Sequence, residues 1–201
     1  MTKAVFLDRD GVLNEVKTKR VRFVNRPLDL HLLPGSAEGL RILRTQGYAL
    51  YLVTNQGGIG LGFMKETSLI EVHIRLLKLL QAEGAALDDI AYCPHRPKAG
   101  CACRKPKPGM LLRLAEKHGI DLASSWTIGD METDVAAGAA AGTRTIRIGK
   151  AGEETKADAL APSLLEAARQ IAAAEKDGEA DQETEGGQEE EEAGERDDGG
   201  S

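Results

Sequence analysis

Short apolar runs alternate with longer segments of helical periodicity along most of the chain. Each run spans five to seven residues rich in β-branched and aliphatic side chains, which is typical of strands buried on both faces of a parallel sheet. Strand, helix and strand at this spacing form right-handed βαβ units, so the sequence predicts an α/β fold with a doubly wound parallel sheet. The predicted strands cover residues 4–8, 48–54, 89–93, 126–130 and 143–149.

The segments between the runs carry the signals of amphipathic helices. The longest, residues 65–84, ends in a glycine, the residue that most readily closes a helix. Its apolar side chains form one stripe: Leu69, Val72, Leu76 and Leu80. We expect His73 and His118 to be surface or boundary residues of their helices. The other predicted helices cover residues 36–47, 107–119, 132–142 and 162–175.

The charge distribution divides the chain into a body and an acidic tail. Residues 175–201 hold 13 acidic and two basic side chains, a net charge of −11, which leaves +5 on residues 1–174. The body has the length of one ordinary domain. The tail has no apolar periodicity, so it is predicted to be disordered, either as a solubilising appendage or as a regulatory or partner-binding segment.

The sequence carries no sign of a membrane or nucleic-acid partner. The first residues lack the apolar run of a signal peptide, and no stretch approaches the roughly 18 apolar residues of a membrane span. No segment is basic and aromatic enough to indicate nucleic-acid binding. We therefore expect a soluble, cytoplasmic monomer.

Polar side chains follow three of the predicted strands at the point where each strand ends. Because the carboxyl ends of parallel strands meet at one edge of a sheet, we expect these side chains to lie together. A single aspartate at such a place is commonly a cap or turn residue, but here the carboxylates recur at equivalent positions. Grouped carboxylates suit Mg²⁺, and a carboxylate beside Mg²⁺ can attack phosphorus. The residues are Asp8, Asp10, Thr54, Asn55, Gln56, Asp130 and Asp134.

All three cysteines of the chain lie in one loop with a histidine, in the order Cys93, His95, Cys101 and Cys103. Three thiolates and one imidazole complete a tetrahedral zinc site, and a complete set leaves no ligand position for water. The zinc is therefore predicted to be structural, which also fits clustered cysteines in a reducing compartment. A redox pair of Cys101 and Cys103, or unpaired thiols, are the alternatives.

Four motifs in order resemble those of the haloacid dehalogenase (HAD) superfamily of phosphatases: FLDRDGV, LVTNQ, CRKPKPG and IGDMETD. The resemblance runs from about Ala4 to about Gly149. The cysteine loop is similar to the zinc loop of the subfamily that contains D-glycero-D-manno-heptose-1,7-bisphosphate 7-phosphatases and histidinol-phosphate phosphatases. The resemblance implies a Rossmann-like HAD fold over residues 1–174 without a large cap domain, a structural zinc, and Mg²⁺-dependent hydrolysis of a phosphate monoester through a phosphoaspartate.

The resemblance assigns a role to each motif residue. Asp8 is the expected nucleophile and Asp10 the expected general acid and base. Thr54 and Lys105 are expected to hold the transferring phosphoryl group. Arg9, between the two aspartates, is predicted to point away, since neighbours at a strand end alternate in direction.

The resemblance also implies the metal and substrate contacts. Asp8, the backbone carbonyl of Asp10, and Asp130 are the expected Mg²⁺ ligands, with Asp134 orienting the site from behind them. The family often carries a basic residue after the fourth-motif aspartate, and this chain has Met131 there, so one substrate contact is expected to be missing. The expected substrate-binding side chains are those of Asn55, Gln56 and Arg104.

The insertion after the first motif is too short for a cap domain, so substrate is expected to meet this loop and the zinc loop. Basic side chains there could bind a second phosphate, or they could be solvated loop charges. Binding of a second phosphate favours heptose 1,7-bisphosphate as the substrate, cleaved at its 7-phosphate. Histidinol phosphate is the alternative substrate. These side chains are Lys17, Lys19, Arg20, Arg22, Arg26 and Arg104.

Two readings from other functional classes fit less well. The glycine-rich stretch at residues 56–62 matches neither of the usual nucleotide-binding patterns and is predicted to be a flexible segment. A non-catalytic, zinc-stapled interaction protein is predicted to lack at least one of four motif residues. All four are present: Asp8, Asp10, Lys105 and Asp130.

Overall fold

Six parallel strands form one sheet in the computed structural model of the chain, which describes residues 2–176. Their order across the sheet is β3-β2-β1-β4-β5-β6. The chain therefore builds outwards from β1 in one direction, then crosses back to β4 and builds outwards in the other. The strands are β1 (Ala4–Leu7), β2 (Ala49–Asn55), β3 (Asp89–Cys93), β4 (Trp126–Gly129), β5 (Arg144–Ile148) and β6 (Ala159–Ala161).

The reversal of strand order lies between β1 and β4, which pair directly through Val5 with Trp126 and Leu7 with Ile128. Loops leaving two neighbouring strands in opposite directions open a crevice at their carboxyl ends, where ligands of doubly wound sheets bind. The first and fourth motifs follow β1 and β4. The fold therefore brings these two motifs to the same crevice.

Helices cover both faces of the sheet. Alternate residues of β1 serve the two sides: Val5 and Leu7 join one apolar cluster, while Ala4 and Phe6 join the other. The helices are α1 (Ser36–Thr45), α2 (Glu66–Ala82), α3 (Gly109–His118), α4 (Glu132–Ala141) and α5 (residues 164–176), with a 3₁₀ turn at Pro27–Asp29. Buried residues of α1, α2 and α5 belong to the first cluster, and those of α3 and α4 to the second.

The predicted doubly wound sheet and its first five strands are confirmed, with ends that differ by one residue or so. The apolar stripe predicted on α2 is buried. The sixth strand, β6, was not predicted, because three residues at a sheet edge are too few to show a periodic pattern.

The last helix continues two residues into the segment predicted to be a tail. Glu175 is helical, accepts a hydrogen bond from the Tyr48 hydroxyl at 2.5 Å, and pairs with Lys3. These contacts lie at the amino ends of β1 and β2, away from the crevice. Residues 177–201 lie outside the described part of the chain, so the prediction for them stays a prediction. Among residues 2–176, no helix combines the length and the apolar character needed to cross a bilayer.

Candidate active site

A buried lysine joins two carboxylates at the carboxyl end of β1. The Lys105 ammonium donates to Asp8 Oδ1 at 2.9 Å and to the Val53 carbonyl at 2.6 Å, and it lies 2.6 Å from Asp134 Oδ1. Its side chain is only 2% exposed. Burial opposes the charge, but Asp8 and Asp134 outweigh it and raise the pKa of Lys105. Lys105 is therefore a fixed cation directly beside the predicted nucleophile.

Three carboxyl groups share this place, because oxygens of Asp8, Asp130 and Asp134 lie within 4.8 Å of one another. Burial, helped by Asp134 and Asp10 and opposed by Lys105, raises the pKa of Asp8 to about 7. Burial and the charge of Asp134 raise the pKa of Asp130 to about 6. Carboxylates this close repel one another unless a cation neutralises them, and an all-oxygen set suits Mg²⁺. The side chains present therefore fit the predicted metal.

Asp134 uses both of its oxygens within the protein. Oδ1 pairs with Lys105, and Oδ2 accepts the backbone N–H of Met131 at 3.0 Å. Asp134 is predicted to orient the site, and these contacts join it to Lys105 and to the turn before α4. Met131 begins the turn that leads into α4, and its side chain is exposed.

Gly11 makes room for the Asp130 carboxylate. Its φ of +84° is a conformation that other residues rarely adopt, and a Cβ atom there would lie 2.6 Å from Asp130 Oδ2. The chain turns sharply at this glycine directly after the two aspartates of the first motif. Gly11 therefore allows the motifs that follow β1 and β4 to approach each other.

Asp10 is held by donors from three side chains. Arg9 donates through Nε and Nη2 at 2.9 to 3.2 Å, Asn14 donates at 3.0 Å, and Gln56 at 3.2 Å. Gln56 also donates to Thr54 Oγ1 at 2.9 Å. The predicted acid/base and the predicted phosphoryl-binding threonine thus belong to one hydrogen-bond network.

The predictions for Arg9 and His73 are wrong. Arg9 does not point away: it is 1% exposed, borders the cleft and pairs with Asp10, because β1 has already ended at Leu7 and the strand alternation no longer applies. His73 is 7% exposed rather than on the surface, and its ring packs edge-on against Tyr92. The sequence offered little signal for either residue, since a single polar side chain beside a buried stripe is usually solvated.

Asn55 connects the end of β2 to the backbone of Lys105. Its amide nitrogen donates to the Lys105 carbonyl at 3.1 Å, and its amide oxygen accepts the Lys105 N–H at 3.1 Å. Asn55 also borders the cleft, as does Gln56. The observed contacts give Asn55 a structural task that was not predicted, the fixing of the chain that carries Lys105.

The four predicted zinc ligands converge at the end of β3. Cys93 Sγ lies 3.5 Å from His95 Nδ1 and 3.7 Å from Cys101 Sγ, and Cys103 Sγ lies 3.3 Å from both Cys93 Sγ and His95 Nδ1. A tetrahedral zinc with ordinary bond lengths spaces its ligands about 3.5 to 3.8 Å apart. The sulfur atoms are too far apart for a disulfide. The set therefore fits a closed tetrahedral zinc site.

The glycine-rich stretch after β2, which was predicted to be flexible, packs against the zinc loop. The Gly60 N–H donates to the Pro94 carbonyl at 2.9 Å, and a Cβ at Gly60 would lie 2.5 Å from the Arg96 backbone nitrogen. A Cβ at Gly57 would lie 3.0 Å from Nη1 of Arg104. The glycines therefore permit tight packing of this stretch against the zinc loop.

An open cleft of about 590 Å³ lies next to Asp10. Its walls come from the insertion after β1, the stretch after β2, and the zinc loop. Two arginines, Arg9 and Arg104, border it. Apolar side chains also reach its mouth: Phe23, Leu61 and Phe63 are exposed by 49 to 75%.

The other predicted phosphate-binding cations lie outside this cleft. Arg20 pairs with Glu15 at 2.5 Å, and Arg26 pairs with Asp29 at 3.1 Å. Together with Arg22 they surround a shallower hollow that shares Phe23 with the cleft. Only Arg104 of the predicted set lines the cleft in the part of the chain that the structure describes.

Comparisons with known proteins agree with this geometry. Residues 102–173 match the family described as HAD-hydrolase-like. The D-glycero-beta-D-manno-heptose-1,7-bisphosphate 7-phosphatase of Pseudomonas putida is 37% identical over 146 residues, covering 73% of this chain and 82% of the relative. The D-glycero-alpha-D-manno-heptose-1,7-bisphosphate 7-phosphatase of Campylobacter jejuni is 39% identical over 137 residues, covering 68% and 76%. The chain belongs to the HAD superfamily of phosphatases.

A solved structure extends the likeness of this HAD phosphatase to its fold. The D,D-heptose 1,7-bisphosphate phosphatase from Bordetella bronchiseptica, complexed with magnesium and phosphate, aligns with a TM-score of 0.76 at 32% identity. The match covers 85% of this HAD phosphatase and 98% of that chain. The predicted Rossmann-like HAD fold is thus confirmed.

Replacing Gly60 with alanine is expected to destabilise this HAD phosphatase. The new methyl group would overlap the Arg96 backbone, so the zinc loop or the stretch after β2 must shift, and the free energy of unfolding should fall by about 1 to 3 kcal/mol. Gly58→Ala is the matched control, because a Cβ there meets no atom within 4 Å. Urea unfolding of both variants measures the effect. Equal stability of the two variants would contradict the packing argument.

The stability of this HAD phosphatase is expected to depend on pH and Mg²⁺ together. The pKa values of Asp8 and Asp130 are raised to about 7 and 6, so without cation these groups favour the fold below about pH 4 and lose that contribution as the pH rises to 7. Mg²⁺ favours the ionised carboxylates. At a concentration ten times its Kd at pH 8, Mg²⁺ should raise Tm by about 3 to 6 °C at pH 8, and the same concentration should raise Tm by clearly less at pH 5.

A melting series with and without MgCl₂ at the two pH values tests this expectation. Taking the difference at each pH cancels groups that do not meet the cation, including His73, whose pKa burial lowers to about 4. Asp130→Asn should lose most of the shift. An equal shift at both pH values, or an undiminished one in the variant, would contradict the assignment.

Proposed function

We propose that this enzyme hydrolyses the 7-phosphate of D-glycero-D-manno-heptose 1,7-bisphosphate through a phosphoaspartate on Asp8. The observation that carries the proposal is the buried contact between Lys105 and Asp8 at the crevice, with Asp10 two residues further on and bordering an open cleft. A nucleophile, a neutralising cation and a separate proton donor are the parts that phosphoryl transfer requires. Relatives at 37 to 39% identity carry the heptose bisphosphate phosphatase name.

In the first step, a carboxylate oxygen of Asp8 attacks the phosphorus atom in line with the departing sugar oxygen. The Asp10 carboxyl gives its proton to that oxygen, so the sugar leaves as an alcohol. In the second step, Asp10 takes a proton from water, which attacks the phosphorus of the phosphoaspartate and releases inorganic phosphate. Lys105 and the Thr54 hydroxyl hold the phosphoryl oxygens during both steps.

Mg²⁺ would be held by Asp8, the Asp10 carbonyl and Asp130, and when bound it lowers the repulsion between the nucleophile and the phosphate. Asp134 fixes Lys105 through their ion pair, and it fixes the turn at Met131 by accepting the backbone N–H of that residue. Zinc is proposed at Cys93, His95, Cys101 and Cys103 as a structural ion, since four protein ligands leave no position for water. Its proposed task is to order the chain that leads to Lys105.

The cleft supports a phosphorylated sugar as substrate. It is open enough for a heptose, and Arg104 offers a guanidinium to a second phosphate, with Asn55 and Gln56 at the same wall. Histidinol phosphate is the second candidate. Its amino group would meet no unpaired carboxylate at the described cleft wall, where Asp10 is the only acid and already pairs with Arg9.

Phosphate release with Mg²⁺ tests the proposal. Both anomers of the heptose bisphosphate should be compared with histidinol phosphate, fructose 1,6-bisphosphate and an aryl phosphate, since relatives are named for either anomer. For one heptose anomer, we expect a kcat/KM at least about 100-fold above that for histidinol phosphate, fructose 1,6-bisphosphate or the aryl phosphate, or about 2.7 kcal/mol of discrimination. Comparable low rates on all substrates would contradict the heptose assignment, and no release at all would contradict the mechanism.

The proposal includes a setting and an organisation for the enzyme. We propose a cytoplasmic monomer whose phosphatase domain spans residues 1–174 and whose acidic segment begins near residue 175. We propose a small phosphorylated substrate rather than a nucleic-acid or membrane partner, since no segment of the sequence is basic and aromatic enough to indicate nucleic-acid binding or apolar enough to span a bilayer. Size-exclusion chromatography with light scattering at working concentration tests the monomer, and a dimer mass would reject it.

A further inference from the structure

Asp10 is oriented mainly by one neighbour. Three of its five hydrogen-bond contacts come from the Arg9 guanidinium: Nε to Oδ1 at 3.2 Å, and Nη2 to Oδ1 and Oδ2 at 3.0 and 2.9 Å. Asn14 and Gln56 supply one each. The Asp10 side chain keeps 25% of its surface exposed. The carboxyl is therefore fixed in orientation while one side stays accessible from the cleft.

Arg9 is an unusual side chain for so buried a position. It is 1% exposed, and within residues 2–176 its ion pair is with Asp10, while its Nη1 atom has no hydrogen-bond partner. A buried guanidinium is unfavourable unless its pairing compensates for the lost hydration, and apolar side chains in place of a buried ion pair are often at least as stable. Packing alone therefore does not account for an arginine here.

The surroundings of Arg9 preserve its pairing with Asp10. His73 on α2 is buried close enough for the Arg9 charge to act on it, and burial together with that charge lowers its pKa to about 4. His73 is thus uncharged near neutral pH and places no second cation beside Asp10. The other charged group of the cleft wall, Arg104, directs Nη1 to the His95 carbonyl at 3.3 Å. Arg9 is the cation that contacts Asp10.

We propose that Arg9 is a positioning residue that holds the Asp10 carboxyl in the orientation needed to protonate the leaving oxygen. The inference rests on the proposed function and adds a residue that acts through Asp10 rather than on the phosphoryl group. Proton donation matters most for a poor leaving group, such as a sugar alkoxide, and least for a stabilised phenolate. Loss of Arg9 should therefore affect alkyl phosphates much more than aryl phosphates.

The test compares Arg9→Lys and Arg9→Gln on a sugar phosphate and on p-nitrophenyl phosphate, both with Mg²⁺. Lysine keeps the charge and most of the volume of arginine, but it lacks the planar set of N–H donors that contacts both oxygens of a carboxylate. For the sugar phosphate, kcat/KM should fall by about 100-fold or more, the range that a positioned acid contributes. For p-nitrophenyl phosphate the fall should stay below about tenfold. Because kcat/KM covers only the steps up to transfer onto Asp8, slow hydrolysis of the phosphoenzyme does not hide the difference.

A double-mutant cycle makes the test specific for Asp10. In an Asp10→Asn background, Arg9→Lys should lower the sugar-phosphate kcat/KM by less than about twofold, because its target is gone. Arg147→Lys, at another partly buried arginine paired with carboxylates, is the control for general destabilisation and should affect both substrates equally. Melting curves identify any variant that fails to fold.

The outcomes separate the inference from the proposed function. A wild-type protein that hydrolyses neither substrate would contradict the proposed function itself. An active wild type whose Arg9 variants lose both substrates equally, or lose neither, would overturn the positioning role. A rise in KM alone on both substrates would instead make Arg9 a direct phosphate contact and would also overturn it. If Arg9→Gln does not fold, Arg9→Lys and the cycle decide the question.

Discussion

Asp8→Asn should reduce phosphate release by at least about 10³-fold on every substrate. An amide has no charged oxygen to attack phosphorus, so transfer onto the side chain cannot begin. The change is nearly isosteric, and the amide oxygen can still accept the hydrogen bond from Lys105 that Asp8 accepts at 2.9 Å. The loss should therefore come from chemistry rather than from collapse of the site.

Initial rates with saturating Mg²⁺, together with melting curves, measure this effect. Asp29→Asn is the matched control, because it removes a carboxylate that pairs with Arg26 on the surface of the neighbouring loop and should keep the wild-type rate within about twofold. A folded Asp8→Asn variant that releases phosphate at the wild-type rate would rule out the phosphoaspartate. If Mg²⁺ still raises the Tm of the Asp8→Asn variant, the cation site that includes Asp130 is intact, and the defect lies in the nucleophile.

Loss of one zinc ligand should have the largest effect on stability. We expect about one equivalent of zinc in protein purified without chelator, and well under one in Cys101→Ser. The free energy of unfolding should fall by about 3 kcal/mol or more, because binding energy at a structural site is folding energy. Cys101 is preferred over Cys93, which is fully buried and would add the cost of a buried hydroxyl.

Activity should fall in the same variant, since Lys105 follows Cys103 by two residues and reaches Asp8 from the end of this loop. Metal analysis, urea unfolding and phosphate release measure the three effects. Arg96→Ala, an exposed residue of the same loop that is not a ligand, should leave all three unchanged. A zinc content far below one equivalent with an unchanged stability of Cys101→Ser would reject the structural site.

The sequence predicted the parts of the site that depend on chain order alone. Asp8, Asp10 and Asp130 follow apolar runs that become parallel strands, so their meeting at one edge required only the sheet topology. The spacing of the cysteines and the histidine likewise predicted a shared site, because residues of one short loop stay close together in space. Contacts of this kind depend on chain order or on short distances along the chain, so their prediction is not affected by small errors in the ends of strands and helices.

The contacts around Asp10 could not be predicted in the same way. Arg9 approaches Asp10 because β1 ends at Leu7 and the chain turns at Gly11, whose φ of +84° is not visible in a sequence pattern. Asn14 and Gln56 reach the same carboxyl from two different loops, the first after β1 and the second after β2, whose relative placement is set by tertiary packing. His73 lies one residue from a buried position of α2, where the depth of burial depends on neighbours far away in sequence.

The chemical groups and the cleft walls belong to separate layers of the molecule, and this separation has a consequence for the history of the enzyme. Asp8 and Asp134 lie at the buried ends of a strand and a helix, and Lys105 is buried in the loop before α3, where most changes disturb the fold. The mouth of the cleft is formed by exposed side chains such as Phe23, Leu61 and Phe63, which few other contacts constrain. Mutations at the mouth of the cleft can therefore change which sugar phosphate is bound, while the catalytic residues stay the same.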